Sequence, residues 1–215
     1  RVNGAGGSII TVEGGAVLHG CTHRVIGDRI VCATYLCAAA AAGGEVRLTG
    51  VDYRAVSTVA LSLAESGCEV RSEADAVSLR STGALRSVRP VRTAPYPGFP
   101  TDAQPVLMAA LLRSEGCTVF VENIFENRYR HVDELSRMGA EIRVVGRVAV
   151  VNGVRTLHGA AVKCTDLRGG AALVIAGLSA EGTTRVTELT HIDRGYDAIE
   201  RDLAALGAQI RRETT

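Results

Sequence analysis

The chain has 215 residues, of which 47% are hydrophobic, so it is long enough to bury a substantial core in one large domain or two small ones. Its 24 lysines and arginines nearly balance 23 aspartates and glutamates. These charges are scattered along the chain, which argues against a nucleic acid or an anionic membrane as a partner. No secretory signal is recognisable, and the longest apolar run, residues 35–42, is too short to span a bilayer.

The six cysteines predict neither a zinc site nor a redox pair. No C-x-x-C occurs, and no histidine stands at the spacing of a zinc ligand. Cysteine in and beside apolar segments serves as a small hydrophobic residue. We therefore expect a reduced, cytoplasmic protein without a metal site.

The first predicted elements along the chain are the two strands of a β-hairpin. Residues 8–13 and 18–26 are rich in β-branched and aliphatic residues, and Gly14-Gly15 provides the turn between them. Residues 148–163 share the Gly-x-x-x-Leu-His-Gly pattern and predict a second hairpin. A looser third hairpin, turning near Gly83, is predicted over residues 77–92.

Three aspartates introduce three copies of one longer unit. Each aspartate is followed by an apolar helix, a glycine turn and a second helix, and the copies span residues 28–70, 102–142 and 166–210. A threefold repeat of this kind decides the architecture before any single element does. With its strands and hairpin, the unit has the order β-α-β-α-β-β.

The two helices of the unit differ in their hydrophobic pattern. The first is apolar on nearly every face, which predicts burial on all sides, over residues 33–42, 106–112 and 171–180. The second, over residues 132–138 and 198–206, has apolar positions three and four apart and is predicted to cover a surface. The fold class is therefore α/β, with buried helices inside and sheets outside.

Glycines mark the ends of these helices, and short Val- and Ile-rich strands follow, such as residues 45–48 and 118–121. The glycines are Gly43, Gly67, Gly116, Gly139, Gly182 and Gly207. The third unit stops eight residues after Gly207 and has no hairpin of its own. Either that hairpin lies elsewhere in a longer polypeptide, or the N-terminal hairpin fills its place.

Asp102 is the first candidate for chemistry, because it begins a buried helix after Phe99-Pro100-Thr101. It is either a helix N-cap or a base near the positive end of a helix dipole, where anionic ligands also bind. Asp166 and Arg168 repeat this placement. The pair Gly169-Gly170 would let a ligand approach the backbone closely. A helix cap beside an exposed arginine is the alternative.

Two polar loops, FENRYRH at residues 125–131 and HIDRGY at residues 191–196, precede the second helices of two units. Their arginines stand next to acidic residues and histidines and suit bidentate recognition of phosphate or carboxylate. Solvated loops with surface ion pairs are the alternative.

These motifs, with YPGFPTD at residues 96–102 and TDLR at residues 165–168, resemble the UDP-N-acetylglucosamine enolpyruvyl transferase (UDP-N-acetylglucosamine 1-carboxyvinyltransferase) family. The resemblance extends from about Ile9 to Arg211. It implies a fold of two inside-out α/β barrels, of which this chain is the second. Residues 1–27 would be a hairpin from the end of the first barrel, and residues 28–215 the second barrel without its last hairpin.

The reaction implied by the resemblance transfers the enolpyruvyl group of phosphoenolpyruvate to the 3-hydroxyl of UDP-N-acetylglucosamine. It needs no cofactor. The partners would be these two substrates and the missing N-terminal barrel. Isolated from that barrel, the chain is expected to be inactive.

The resemblance also assigns roles to individual residues. Asp102 would take the proton of, or position, the sugar hydroxyl, and Arg194 would contact phosphoenolpyruvate. Asp166 and Arg168 would be cleft residues at the reacting centre. Further contacts are assigned to the sugar nucleotide and the cleft wall, namely Ile124, Phe125 and Arg128.

Two alternatives to this function stay open at the level of sequence. One is an enolpyruvyl transferase for another acceptor, such as shikimate 3-phosphate. The other is a non-catalytic half-enzyme that binds a ligand or a partner. Gly169-Gly170 stands where we expect residues such as alanine and serine, and should loosen that turn.

Overall fold

The computed structural model describes residues 1–5, 7 and 9–213. The helices are α1 (Arg29–Ala42), α2 (Tyr53–Glu65), α3 (Gln104–Ala110), α4 (Val132–Arg137), α5 (Leu167–Leu178), α6 (Thr190–Asp193) and α7 (Ile199–Ala205). The strands are β1 (Val2–Asn3), β2 (Thr11–Val12), β3 (Gly44–Thr49), β4 (Glu69–Ser72), β5 (Ala76–Ser81), β6 (Val91–Arg92), β7 (Cys117–Val121), β8 (Glu141–Val145), β9 (Val148–Asn152), β10 (Ala161–Lys163) and β11 (Arg185–Thr187).

Helices α1, α3 and α5 pack against one another at the centre of the molecule. All seven residues of α3 are buried, and so is the stretch of α5 from Gly169 to Ala176. These segments have no polar face, so they are stable only when apolar neighbours surround them. The predicted buried helices are confirmed, although α1 and α5 each begin four residues earlier than their apolar stretches.

Small sheets and the second helices surround this helical centre. One sheet has the order β3-β5-β4, a second β6-β7-β9-β8, and a third consists of β10 and β11. Strands β6 and β10 pair in parallel with β7 and β11, while β5 and β9 run antiparallel to both of their neighbours. The predicted α/β fold with helices inside and sheets outside is confirmed, and within the described residues the middle unit shows the complete β-α-β-α-β-β order, from β6 to β9.

The predicted hairpins at residues 77–92 and 148–163 are wrong in their pairing. Strand β9 pairs with β8 on one side and β7 on the other, so both of its edges are occupied. The chain must therefore leave this sheet after Asn152, and β10 joins β11 instead. A Cβ at Gly153 would lie 1.5 Å from the Ser114 carbonyl oxygen, so only glycine fits where the chain leaves.

The N-terminal segment also differs from its prediction. Thr11–Val12 pairs with Val2–Asn3, and no helix or strand occurs among the described residues between Val12 and Arg29. Ser8, the first residue of the predicted strand, lies outside the described residues. The apolar side chains of this segment are exposed, Val17 and Leu18 at 93% each. An isolated hairpin without a packing surface is marginal, which explains why the predicted one is missing.

The third unit contains only the parallel pair of β10 and β11 within residues 9–213. The N-terminal pair forms a sheet of its own, so it does not complete this unit in the same chain. The six predicted helix-ending glycines all have positive φ. In the described part of the chain, no helix is long and apolar enough to cross a membrane.

Candidate functional site

Aspartates at equivalent positions precede the central helices, and two of them are N-caps. Asp28 accepts from the amides of Ile30 and Val31, at 2.7 and 3.1 Å. Asp166 accepts from the amides of Arg168 and Gly169, at 3.1 and 2.9 Å. Their carboxylates therefore satisfy the free N–H groups at the starts of α1 and α5.

Asp102 stands in the same place but does not cap a helix. It lies in a short 3-10 turn, Thr101–Ala103, and no side chain caps this turn or α3. Its two carboxylate oxygens instead accept from two guanidinium groups, Oδ1 from Nη2 of Arg128 and Oδ2 from Nε of Arg168, the latter at 3.3 Å. Of the two roles predicted for Asp102, the cap is therefore excluded.

The two arginines are nearly buried, whereas the carboxylate between them is open to solvent. The side chains of Arg128 and Arg168 are 12% and 11% exposed, and that of Asp102 is 40% exposed. A carboxylate has about four acceptor positions, so further positions remain for a hydrogen bond from a ligand. The cluster presents one carboxylate and two guanidinium groups at the same surface.

The loop after β7 forms one wall of this cluster. Arg128 donates to the Thr101 carbonyl at 3.2 Å, and its guanidinium lies 5.1 Å from the centre of the Phe125 ring. Ile124 and Phe125 are 41% and 52% exposed. An apolar surface therefore adjoins the charged groups, a combination that is common in ligand-binding sites.

Glu122, which the sequence interpretation missed, holds this loop in place. It is 1% exposed and accepts four hydrogen bonds. The donors are the amides of Ile124 and Phe125 and the hydroxyls of Thr93 and Thr101, at 2.8 to 3.0 Å. A carboxylate at the end of an otherwise apolar strand was the signal available in the sequence.

Arg168 is held from a second direction by Tyr196, which lies between α6 and α7, and through it by α1. Its Nη1 donates to the Tyr196 hydroxyl at 3.2 Å, and this hydroxyl lies 2.8 Å from Oγ1 of Thr34. Thr34 is 1% exposed and Tyr196 4% exposed. Burial raises the pKa of the Tyr196 hydroxyl, so it carries its proton at neutral pH.

Arg194 is not in contact with Asp102. It is exposed, at the end of α6, and its side chain forms no hydrogen bond or ion pair within residues 9–213. Part of its predicted polar loop is the short helix α6, in which Asp193 pairs with Arg212. The structure thus brings Asp102, Arg128 and Arg168 together and places Asp166 at the start of the helix that carries Arg168, whereas the Arg194 side chain pairs with none of them.

His131 lies behind the site and not in an exposed phosphate loop. It is fully buried, and neither ring nitrogen has a hydrogen-bond partner in the described structure. Burial lowers the pKa of His131 to about 4, against the opposing effect of the nearby Asp166 carboxylate. The imidazole is therefore neutral at pH 7.

The prediction that Gly169-Gly170 admits a ligand to the backbone is wrong. A Cβ at Gly169 would lie 2.6 Å from Asp166 Oδ2 and 2.9 Å from the Cβ of His131. At Gly170 it would lie 2.2 Å from Cys164 Sγ. Both glycines are buried, and α5 runs regularly through them. Protein side chains, rather than a ligand, occupy the space that the glycines leave.

The chemical capacity of the site follows from these contacts. The N–H groups at the starts of α1 and α5 are occupied by their own aspartates, so anion recognition is left to guanidinium groups. A solvent-facing carboxylate beside them can accept a hydrogen bond from a hydroxyl group. This combination suits transfer between an anionic donor and an alcohol.

The fold of this chain is found in a class of transferases, and the comparisons identify the family. The family model described as EPSP synthase (3-phosphoshikimate 1-carboxyvinyltransferase) matches residues 1–203, so the chain belongs to this family. Solved enolpyruvyl transferases share the fold. NikO from Streptomyces tendae has a TM-score of 0.77 at 31% identity, covering 87% of this chain and 44% of NikO. EPSP synthase from Acinetobacter baumannii has a TM-score of 0.69 at 22% identity, covering 89% and 45%.

Within the family, the relatives of this chain are named UDP-N-acetylglucosamine 1-carboxyvinyltransferase. That of Gluconacetobacter diazotrophicus is 50% identical over 212 residues, covering 99% of this chain and 50% of the relative. That of Desulfofundulus thermocisternus is 51% identical, covering 99% of this chain and 87% of the relative. The resemblance seen in the motifs is confirmed. The chain spans about half the length of most of the curated relatives it matches.

Proposed function

We propose that this chain supplies half of an active site that transfers the enolpyruvyl group of phosphoenolpyruvate to the 3-hydroxyl of UDP-N-acetylglucosamine. The observation that carries the proposal is the Asp102 carboxylate, solvent-facing and held between two nearly buried arginines. The names of the relatives supply the sugar nucleotide and the transferred carboxyvinyl group, and the resemblance of the motifs supplies phosphoenolpyruvate as the donor. The reaction adds the hydroxyl O–H across the enol double bond, and then expels phosphate while the new methyl group loses a proton, which restores the double bond.

Each group in the cluster has a role in this chemistry. The addition step needs a base for the hydroxyl proton and positive charge near the carboxylate and phosphate of phosphoenolpyruvate. We assign the hydroxyl to Asp102 and the anionic groups to Arg168 and Arg194. Arg128 aligns Asp102 through its ion pair.

Two further assignments follow from the walls of the site. Ile124 and Phe125 form the apolar surface for the sugar nucleotide, because both are partly exposed and fixed by Glu122. Asp166 orients the first turn of α5, and with it the backbone of Arg168. Its role is therefore to position a neighbouring group.

A second barrel is the partner that the proposal requires. The chain corresponds to one barrel of three units, and the share of the relatives that it spans supports a second barrel of similar size. We propose that this missing N-terminal barrel supplies the proton for the methylene carbon and more of the phosphate site. We also propose the cytoplasm as the compartment, where all six cysteines remain free as in the structure.

The test is to complement the chain. We would fuse it to the part of the Gluconacetobacter diazotrophicus relative that it does not match, and measure phosphate release from phosphoenolpyruvate with UDP-N-acetylglucosamine. We expect turnover by the fusion and none by the chain alone. Turnover by the isolated chain, or an inactive but folded fusion that binds neither substrate in calorimetry, would contradict the proposal.

The same assay separates the alternative functions. Phosphate release with shikimate 3-phosphate, and not with the sugar nucleotide, would identify another acceptor. The assay with another acceptor is included because the chain is also similar to NikO, at 31% identity, and a shared fold does not determine the acceptor. Substrate binding without turnover by the fusion would identify a non-catalytic half-enzyme.

A further inference from the structure

A hydrogen-bond chain ties Arg168 to residues from other parts of the fold. Thr34 donates its hydroxyl hydrogen to the Ile30 carbonyl at 2.8 Å, so its oxygen can only accept from Tyr196. The Tyr196 hydroxyl therefore donates to Thr34 and accepts from Nη1 of Arg168. The direction of every hydrogen bond in the chain is thereby determined.

Because Thr34 and Tyr196 are buried, water cannot easily take their place as hydrogen-bond partners. Thr34 and Tyr196 are almost fully buried, and the Tyr196 ring lies 5.6 Å from the Arg168 guanidinium carbon. A buried donor that loses its acceptor bears the full cost of its desolvation. The guanidinium is therefore held both by the hydroxyl and by the face of the ring.

The hydrogen bonds of Arg168 leave a defined part of its guanidinium free. A guanidinium has five N–H groups. Arg168 uses Nε for Asp102 and one N–H of Nη1 for Tyr196, so three of its five remain for an anionic ligand within the described structure. Because the two occupied groups lie on different nitrogens, they fix the plane in which the other three point.

We infer that Tyr196 and Thr34 are positioning residues, which set the orientation of Arg168 against Asp102 and the enolpyruvyl donor. The functional part of this inference rests on the proposed function, but the orientation itself does not. These hydrogen bonds connect the three units, since Thr34 belongs to the first, Asp102 to the second, and Arg168 with Tyr196 to the third. Alignment of the reacting groups therefore depends on their correct packing against one another.

The first test measures orientation in the chain itself. Tyr196→Phe keeps the ring and removes the acceptor of Nη1, and Thr34→Val removes the partner behind it. Tyr35→Phe is the matched control, because this neighbouring tyrosine donates to Asp202 at 2.7 Å and forms no hydrogen bond with Arg168 in the described structure. The readout is exchange of the Arg168 Nε–H with water, measured by NMR.

We expect exchange to rise about tenfold in Tyr196→Phe and by less in Thr34→Val, as for the loss of a hydrogen bond to a charged group. Thr34→Ser should restore the parent value, and Tyr35→Phe should not change it. Unchanged exchange in both site variants would overturn the inference, and so would an equal rise in Tyr35→Phe. If Tyr196→Phe fails to fold, the exchange rate in Thr34→Val alone tests the inference, and an unchanged rate overturns it.

The second test measures kinetics in the fusion enzyme. We expect kcat to fall about tenfold in Tyr196→Phe while KM for UDP-N-acetylglucosamine stays within about twofold. The Thr34→Val/Tyr196→Phe double variant should lose no more than Tyr196→Phe alone, because both act through one chain. Additive losses would overturn the inference. An inactive parent fusion would refute the proposed function only, since the exchange measurement stands apart from it.

Discussion

The starts of helices α1 and α5 and the turn before α3 are equivalent in the repeat, but they use their aspartates differently. Asp28 and Asp166 turn their carboxylates to backbone amides, whereas Asp102 turns its carboxylate to two guanidinium groups. The middle unit can do this because its buried helix begins through a 3-10 turn with Pro105 near its N-terminus. Proline has no N–H group, so fewer free amides compete for the carboxylate.

This difference shows how a repeat acquires a site. In the first and third units the aspartate caps a helix. In the middle unit the equivalent aspartate is exposed to solvent and lies between two arginines. The partners come from elsewhere, Arg168 from the third unit and Arg128 from the loop held by Glu122. The site is therefore a property of the assembled barrel and not of any single unit.

The largest effect is expected for Asp102→Asn in the fusion enzyme. Loss of the base should lower kcat by roughly two to four orders of magnitude. The free energy of unfolding should change by about 1 kcal/mol at most, because the carboxylate is 40% exposed and caps no helix. Phosphate-release kinetics and urea unfolding check the two halves of the expectation.

Asp28→Asn is the matched control for that change. Asparagine caps a helix about as well as aspartate does, so both turnover and stability should stay at parent values. If Asp102→Asn keeps its activity and loses stability instead, the contrast between the two aspartates is wrong.

The next effect concerns His131, which packs behind the start of α5. Its pKa is about 4 in the folded chain and 6.5 as a free side chain, so the unfolded state binds a proton first as the pH falls. Stability is therefore lost as the pH falls below about 6.5. The loss between pH 7 and pH 5 amounts to about 2 kcal/mol for this group.

The measurement compares the parent chain with His131→Leu by urea unfolding at both pH values. Carboxylates contribute equally to both proteins, so the difference in their pH dependence reports His131. Parallel pH profiles for the two proteins would show that the histidine is not held neutral by burial.

The smallest effect is expected for Asp28→Ala. Removing the cap of α1 should lower the free energy of unfolding by about 1 kcal/mol. Turnover of the fusion should not change, since Asp28 does not contact Asp102, Arg128 or Arg168. A thousandfold loss of turnover in this variant would place Asp28 in the reacting centre.

The sequence predicted the architecture well because its signals are local or periodic. An apolar pattern without a polar face placed α1, α3 and α5 in the interior, and the glycines marked the ends of helices. The prediction from the sequence was wrong for the pairing of strands. The pattern at residues 148–163 suits two strands, but only the sheet shows that both edges of β9 are already taken.

The site was predicted in part, for a similar reason. The motif containing Asp102 was visible in the sequence, whereas its freedom from capping depends on the 3-10 turn. Thr34 was missed because a threonine within an alanine-rich helix is not unusual by itself. Its function depends on Tyr196, which lies 162 positions away.

The buried α3 helix has a consequence for how this protein is made. Its seven residues find apolar neighbours on every side only after α1 and α5 have packed against them. During synthesis α5 emerges last of the three. The apolar surface of α3 therefore stays uncovered while more than fifty further residues are synthesised. A nascent chain with exposed apolar surface is prone to aggregate and to bind chaperones. The segment that supports the reacting carboxylate is thus also the one most dependent on prompt completion of the fold.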